Sequence, residues 1–284
     1  MTDQIMKIGR SVIQHGPLNR RVYLMKLAAR DFPDIMPRID ALVEREKYTK
    51  IFTKVPAWAY AELRNRGYLQ EAFIPAFYQG VEDAFFLSKF VNSDRAKVPE
   101  NDHLTMAGHL KKAFARRKRT PPEVRLKKGL QMRVCDLKDA EALARLYKTV
   151  FQSYPFPVHD PAYIEQTMKS DVLYFGIFNE EKLVAASSAE MDIEEKNAEM
   201  TDFATLPESR GQSFSTVLLQ KMEQEMMKRA LPTLFTIARS LSAGMNITFA
   251  RNGYRFSGTL VNNTNISGKI ESMNIWYKRL MIVH

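Results

Sequence analysis

The sequence predicts an α/β (α+β) chain: a mixed sheet with flanking helices, preceded by a smaller region that is a degenerate copy of part of it. Three observations carry this. The 284 residues exceed one typical domain of roughly 100–200. From Gln131 onward, strand-like and helix-like patterns alternate regularly. The first ninety residues repeat, in outline, the end of the chain.

The elements follow in order. RRVYLMKLA reads as a strand and PDIMPRIDALVERE as a helix. KIFTKVPAWAYAELRNRGY, from Lys50 to Tyr68, then parallels TLFTIARSLSAGMNITFARNGY, from Thr233 to Tyr254. Each runs strand, helix and an Arg/Asn-rich stop ending Gly-Tyr. Each is followed by a hairpin with a glycine at its tip, Gly80 and Gly268. Residues 1–92 are therefore expected as a half-repeat of order βαβαββ, 93–129 as a basic linker and 130–284 as the main domain.

In that main domain MRVC reads as a short strand. Asp136 to Phe151 reads as a helix with Asp136 as its N-cap and Ala140, Leu143, Leu146, Tyr147 and Val150 on one face. The loop YPFPVHDP follows. DVLYFGIF and KLVAASSAEM are strands joined by a turn at Asn179-Glu180-Glu181, and NAEMTDFATL is a third, ending at Pro207. The turn ESRGQS leads into a helix with Phe214, Val217, Leu218, Met222 and Met226 on one face. TLFTIAR is a strand, SAGMNITFARNG a helix stopped by Gly253, and two further strands close the chain.

Composition narrows the function classes. Apolar residues are 45% and charged residues 26%, a globular balance that excludes disorder, collagen and coiled coil for the chain as a whole. No apolar run reaches the roughly 18 residues of a membrane helix, and MTDQIMKIGR lacks a secretory apolar core. The single Cys135 cannot close an internal disulfide, so a cytoplasmic location is expected and no membrane partner. The five histidines are scattered and none has metal-ligand spacing, so no metal is expected. The net charge of +10 is local. From Lys111 to Arg133 there are ten Lys or Arg against one acid, Glu123, and the remainder is nearly neutral. A fold that grips nucleic acid spreads its basic face more widely, and only Phe114 interleaves the cations. Nucleic acid is thus not an expected partner. A homodimer is compatible with the sequence.

The stretch with most chemical content is Glu199-Met-Thr-Asp-Phe-Ala-Thr-Leu-Pro-Glu-Ser-Arg-Gly-Gln-Ser-Phe-Ser215, strand–turn–helix. A helix start leaves N–H groups unpaired at a partial positive charge. A glycine-bearing turn there can wrap a diphosphate; Arg210 adds a cation and Gly211 a flexible backbone.

The order β-α-α-β-β-β-(turn)-α-β-α-β-β from Gln131 resembles the GNAT acetyltransferase superfamily, whose fourth strand leads into a loop Arg/Gln-x-x-Gly-x-Gly/Ala. The sequence supplies Arg210 and, beside it, Gly211, while Ser213 and Ser215 stand where glycines are usual. DFATLPESRGQ, TIARSLSAGMN, FARNGY, GTLVNNTNI and ESMNIWYK resemble the beta-lysine N-acetyltransferase branch. The resemblance implies acetyl-CoA as cosubstrate and beta-lysine as acceptor, with N6-acetyl-beta-lysine, a compatible solute, as product.

It also implies roles. Glu199 is the expected base, and Asp202 its competitor, facing the other way if pairing is regular. Acetyl-CoA is expected on Phe203, Ala204, Thr205, Arg210, Gly211, Gln212, Ser213, Phe214, Ser215, Ser242 and Asn246, the first three through main-chain groups freed by a splay of two strands. The acceptor is expected between Tyr154, Phe156, His159, Asp160 and Tyr163 on one side and Asn262, Asn263, Asn265, Glu271 and Asn274 on the other, with Asp202 nearby. The usual Asn and acidic Tyr of the penultimate helix read Ser242 and Phe249; Asn246, Tyr254 and Tyr277 are the candidates to compensate.

Three other functions compete. One is acetylation of a polyamine or a protein lysine. Another is a non-catalytic binding module. A serine hydrolase is excluded because Ser215 breaks Gly-x-Ser-x-Gly and the only downstream histidine is His284.

Overall fold

A computed structural model of the chain describes residues 3–117 and 120–281. Lys118 and Arg119 of the basic stretch, and His284, lie outside the described residues.

Two sheets organise the molecule. The first is built of β1 (Gln4–Ile8), β2 (Ser11–Gly16), β3 (Arg21–Lys26), α1 (Ile35–Glu46), β4 (Lys50–Pro56), α2 (Ala57–Asn65), β5 (Leu69–Tyr78) and β6 (Glu82–Phe90), with strand order β1-β2-β3-β4-β6-β5. The helix α3 (Glu100–Ala115) follows. The second unit is β7 (Leu130–Val134), α4 (Ala140–Val150), α5 (Pro161–Met168), β8 (Val172–Asn179), β9 (Lys182–Asp192), β10 (Asn197–Thr205), α6 (Phe214–Lys228), β11 (Thr233–Arg239), α7 (Ala243–Arg251), β12 (Arg255–Ile266) and β13 (Lys269–Arg279), with strand order β12-β13-β11-β10-β9-β8-β7.

The hairpin β1–β2 precedes the six elements expected in the N-terminal region. Neither strand alternates: β1 is exposed along most of its length and β2 is buried on both faces, so the period-2 signal is missing. With this hairpin the first sheet parallels the second closely. β3 pairs parallel with β4 as β10 does with β11, and β4-β6-β5 repeats the antiparallel run β11-β13-β12. Tyr23 stands opposite Phe52 in the first sheet as Glu199 stands opposite Phe235 in the second.

The basic stretch begins as structure. On α3, Ala113 is fully buried in the core of the second unit and Leu110 packs beside it; Val124 and Leu126 continue along the same core. In α4 the expected cap is displaced by a turn. Asp136 caps a short 3-10 turn, Leu137–Asp139, and the helix proper begins at Ala140.

The sheets meet at their hairpin edges, β5 against β12. Ser257 Oγ accepts the Phe73 N–H at 2.8 Å and donates to the Phe73 carbonyl. The Glu71 carboxylate accepts the Val261 N–H at 2.7 Å and pairs with buried Lys50 at 3.0 Å. Behind this joint, Phe52, Phe77, Phe86, Phe235, Leu260 and Ile275 form one core shared by both sheets.

Candidate active site

A cavity of about 890 Å³ opens where the two sheets meet. One side is made by the parting of β10 and β11. They pair only from Asn197–Glu199 against Thr233–Phe235, although β10 runs on to Thr205 and β11 to Arg239. Beyond Glu199, β10 keeps β9 on one side and loses β11 on the other. A strand edge thus lies open inside the sheet, with main-chain groups that an extended ligand can pair with. Phe203 and Thr205 line the cavity there, whereas Ala204 turns its methyl into the core.

The loop after β10 curls through two left-handed residues, Gly211 at φ +81° and Ser213 at φ +60°. Ser213 opens α6 without a side-chain cap. The amides from Gly211 to Ser215 meet no acceptor among the described residues. Gathered at the positive end of a 15-residue helix, they form an anion cradle. Arg210, Gly211, Gln212, Ser213, Phe214 and Ser215 all line the cavity. A Cβ placed on Gly211 meets no atom within 4 Å, so this glycine serves through its backbone conformation rather than through clearance.

Glu199 stands at the fork, its carboxylate facing the cavity. Burial pushes its carboxyl up to about 7; the Lys54 ammonium works against that rise and Asp202 adds to it. Asp202, three positions along, would face away in a regular strand. The pairing is not regular. The register shifts between Thr201 and Ala204, and Asp202 takes φ +54°. This bulge brings both carboxylates into one cavity. The Asp202 oxygens are engaged, however: Ser188 Oγ donates to one at 2.5 Å and the Tyr154 hydroxyl to the other. Glu199 keeps free acceptor positions and has the titration range of a base for neutral pH. Glu190 lines the same cavity and is pushed well above the usual carboxylate range by burial and then by Glu199.

The facing wall comes from the first sheet. Lys54 of β4 is half-buried, its Nζ 5.2 and 5.4 Å from the ring centroids of Phe235 and Phe77. Burial pulls its ammonium down, against the carboxylates of Glu199, Asp192 and Glu190. Gln14, Arg21, Tyr23 and Phe52 complete this wall.

Tyr154, Phe156, Asn263 and Ser242 line the cavity as the sequence suggests. The other expected acceptor and cofactor residues are engaged elsewhere. Asp160 is exposed and spent on capping α5, accepting the Ala162 N–H at 3.0 Å. Asn265 accepts from Ser153 at the tip of the last hairpin. Asn246 is fully buried, bonding the carbonyls of Arg239 and Ser242 and accepting from Asn274 and Trp276, so it fixes the start of α7 from behind the wall. Asn262 holds the carbonyls of Arg95 and Lys97. Glu271 makes a two-point ion pair with cavity-lining Arg239. His159, Tyr163, Tyr254 and Tyr277 do not line the cavity, while Phe249 packs edge-on against both Phe203 and Tyr254.

Arg21, Lys54 and Glu190 were not singled out by sequence reasoning. The one local signal was Lys54, a charge in the middle of the otherwise apolar run IFTKVP. Among the described residues no group of three His, Cys, Asp or Glu is placed to hold a metal ion, and no helix is long and apolar enough to cross a membrane.

Comparison with known proteins agrees with this geometry. Residues 141–254 match the Acetyltransferase (GNAT) family. A beta-lysine N(6)-acetyltransferase of Methanococcus maripaludis is 39% identical over 278 residues, 97% of this chain and 98% of that one. A second protein of that name, from Methanosarcina mazei, is 34% identical over 88% of this chain and 98% of its own length. The N-acetyltransferase YodP of Bacillus subtilis is 32% identical over 95% of this chain and 96% of its own. With the forked strands, the uncapped helix and full-length relatives at this identity, the chain belongs to the GNAT acetyltransferase family.

Proposed function

We propose that the chain transfers the acetyl group of acetyl-CoA to the N6 amine of beta-lysine, giving N6-acetyl-beta-lysine. The observation that carries this is the fork at Glu199: a half-buried carboxylate with free acceptor positions, between an open strand edge and an anion cradle. In this reading the amides of Gly211 to Ser215, with Arg210, bind the diphosphate, and the main-chain edge of β10 holds the pantetheine arm. Glu199 accepts a proton from the substrate ammonium, whose ordinary pKa of about 10.4 would otherwise keep its lone pair occupied. The amine nitrogen then attacks the thioester carbonyl, the C–N bond forms, the C–S bond breaks, and the proton the nitrogen sheds after attack passes to solvent or to the departing thiolate. The place of a leaving-group acid is filled by Phe249, and a thiolate of pKa about 8.5 departs without one. A cytoplasmic location accords with the single buried thiol of Cys135.

Mass spectrometry after incubation with acetyl-CoA tests the acceptor, using a panel of beta-lysine, α-lysine, spermidine and a lysine peptide. Beta-lysine gains one acetyl group, on its terminal amine; preferential acetylation of spermidine or the peptide overturns the assignment.

Two variants probe the machinery. Gly211→Val forces a branched side chain into a left-handed backbone, a strain of roughly 1–2 kcal/mol. Acetyl-CoA affinity is expected to fall about tenfold by calorimetry, and wild-type affinity would place the phosphate site elsewhere. Lys54→Met removes the cation that holds the Glu199 carboxyl down, while burial and Asp202 still raise it. Because a raised base is charged only above its pKa, the acidic limb of the rate profile moves to higher pH, by about one pH unit. An unmoved limb would separate Lys54 from the titrating base.

A further inference from the structure

Arg21 is 4% exposed, yet it has no ion pair among the described residues. Its Nη1 donates to the Asn263 carbonyl and, at 3.2 Å, to Thr264 Oγ1. Nε is buried without a partner, and Nη2 donates to no described residue. The guanidinium edge formed by these two atoms is therefore free, on a residue that lines the cavity. The same chain shows what that edge does when a carboxylate is at hand. Arg239 uses Nε and Nη2 to hold both oxygens of Glu271, at 3.0 and 2.8 Å. Two further buried atoms on cavity-lining residues lack partners among the described residues: Gln14 Oε1 and Asn263 Oδ1, both acceptors, the latter on the residue whose carbonyl Arg21 already holds. One free cationic fork and two free acceptor oxygens suit a head group that carries an anion and an ammonium together. A buried guanidinium left unpaired is costly, and a carboxylate supplied by the ligand removes that cost. A polyamine has no anion to offer there.

We propose that the Nε–Nη2 edge of Arg21 receives the carboxylate of an amino-acid acceptor, with Gln14 Oε1 and Asn263 Oδ1 taking the adjacent ammonium. Gln14 and Arg21 of the first sheet, with Asn263 of β12, thus read the acceptor's zwitterionic head while Glu199 works on the distal amine. The inference rests on the beta-lysine reading above and adds the residues that make it selective.

The test compares beta-lysine with its carboxamide, which keeps both amines and removes the anion. Wild-type kcat/KM is expected to favour the acid about 100-fold, the range of a charge-assisted pair. Arg21→Gln abolishes that preference by raising the KM for the acid, and leaves the KM for acetyl-CoA unchanged. Arg21→Lys keeps a cation without the fork and retains part of the preference. If the wild type uses acid and amide equally, the proposal is overturned, with no variant needed. A preference that persists in Arg21→Gln overturns it as well. Should Arg21→Gln not yield soluble protein, Arg21→Lys decides, since an undiminished preference there removes the two-point contact. If the wild type acetylates neither compound yet acetylates another amine, the beta-lysine reading fails and this inference falls with it.

Discussion

Glu199→Gln is expected to lower kcat by about 10²–10⁴-fold, the usual worth of a positioned general base, with acetyl-CoA affinity retained. The cradle at α6 and the open edge of β10 do not depend on the carboxylate, so binding by calorimetry separates lost chemistry from lost structure. The pH profile carries the same signature. Burial raises the Glu199 carboxyl to about 7 from its ordinary 4.5, so the wild-type rate climbs through neutral pH and flattens above it. The variant loses this limb. Stability moves in the opposite direction. A carboxyl raised by folding favours the fold below pH 4.5, and that contribution is lost as pH rises through about 7. Glu199→Gln should therefore be more stable than wild type at pH 8, by about 3 kcal/mol at most, with the difference vanishing near pH 4. Unchanged turnover would remove Glu199 as the base; equal stability at both pH values would mean that the carboxylate is better solvated than its burial implies.

The second large effect is expected at the joint between the sheets. A Cβ on Gly258 would lie 1.9 Å from the Glu71 carbonyl oxygen and 3.0 Å from the Ala72 Cα. Both obstacles are backbone, so Gly258→Ala must push β12 away from β5. Separation strips the Ser257–Phe73 bonds and the Glu71–Val261 bond, and exposes the core shared around Phe235 and Leu260. Overpacking costs about 1–3 kcal/mol before those losses, and a fall in Tm of roughly 5–10 °C is expected for a chain of this size. Acceptor KM should rise with it, because Asn263 on β12 and Arg21 on β3 meet across this joint. Acetyl-CoA affinity should hold. A variant that melts with the wild type would show that the strands already have slack.

The parts legible in the sequence are those whose signals are local. Pro207, Gly211 and the apolar face from Phe214 mark a strand–turn–helix within a few residues, and the anion cradle follows from that order alone. Glu199 is legible because its position along the strand is fixed by the same segment. Asp202 is not, because its direction depends on a bulge set by pairing with β9, a non-local event. Arg21 and Lys54 are further from reach. They become cavity residues only because β5 docks on β12, which brings together side chains more than a hundred residues apart in the chain. Asp160 and Asn265 show the reverse error. Each lies near the cavity in sequence, but a helix start and a hairpin tip had first claim on their side chains.

The split of the cavity between two sheets shapes how such a protein can diversify. In the proposed reading the acyl donor lies on β10, α6 and their loop, with Ser242 at the start of α7, whereas the head of the acceptor faces β2, β3 and β12. Exchanges at Gln14 or Arg21 can then retune which amine is chosen without touching Glu199, whereas Lys54 is tied to the base itself. On the same reading the N-terminal region, which has Tyr23 where the second sheet has the Glu199 carboxylate, is free to drift as a selectivity cassette.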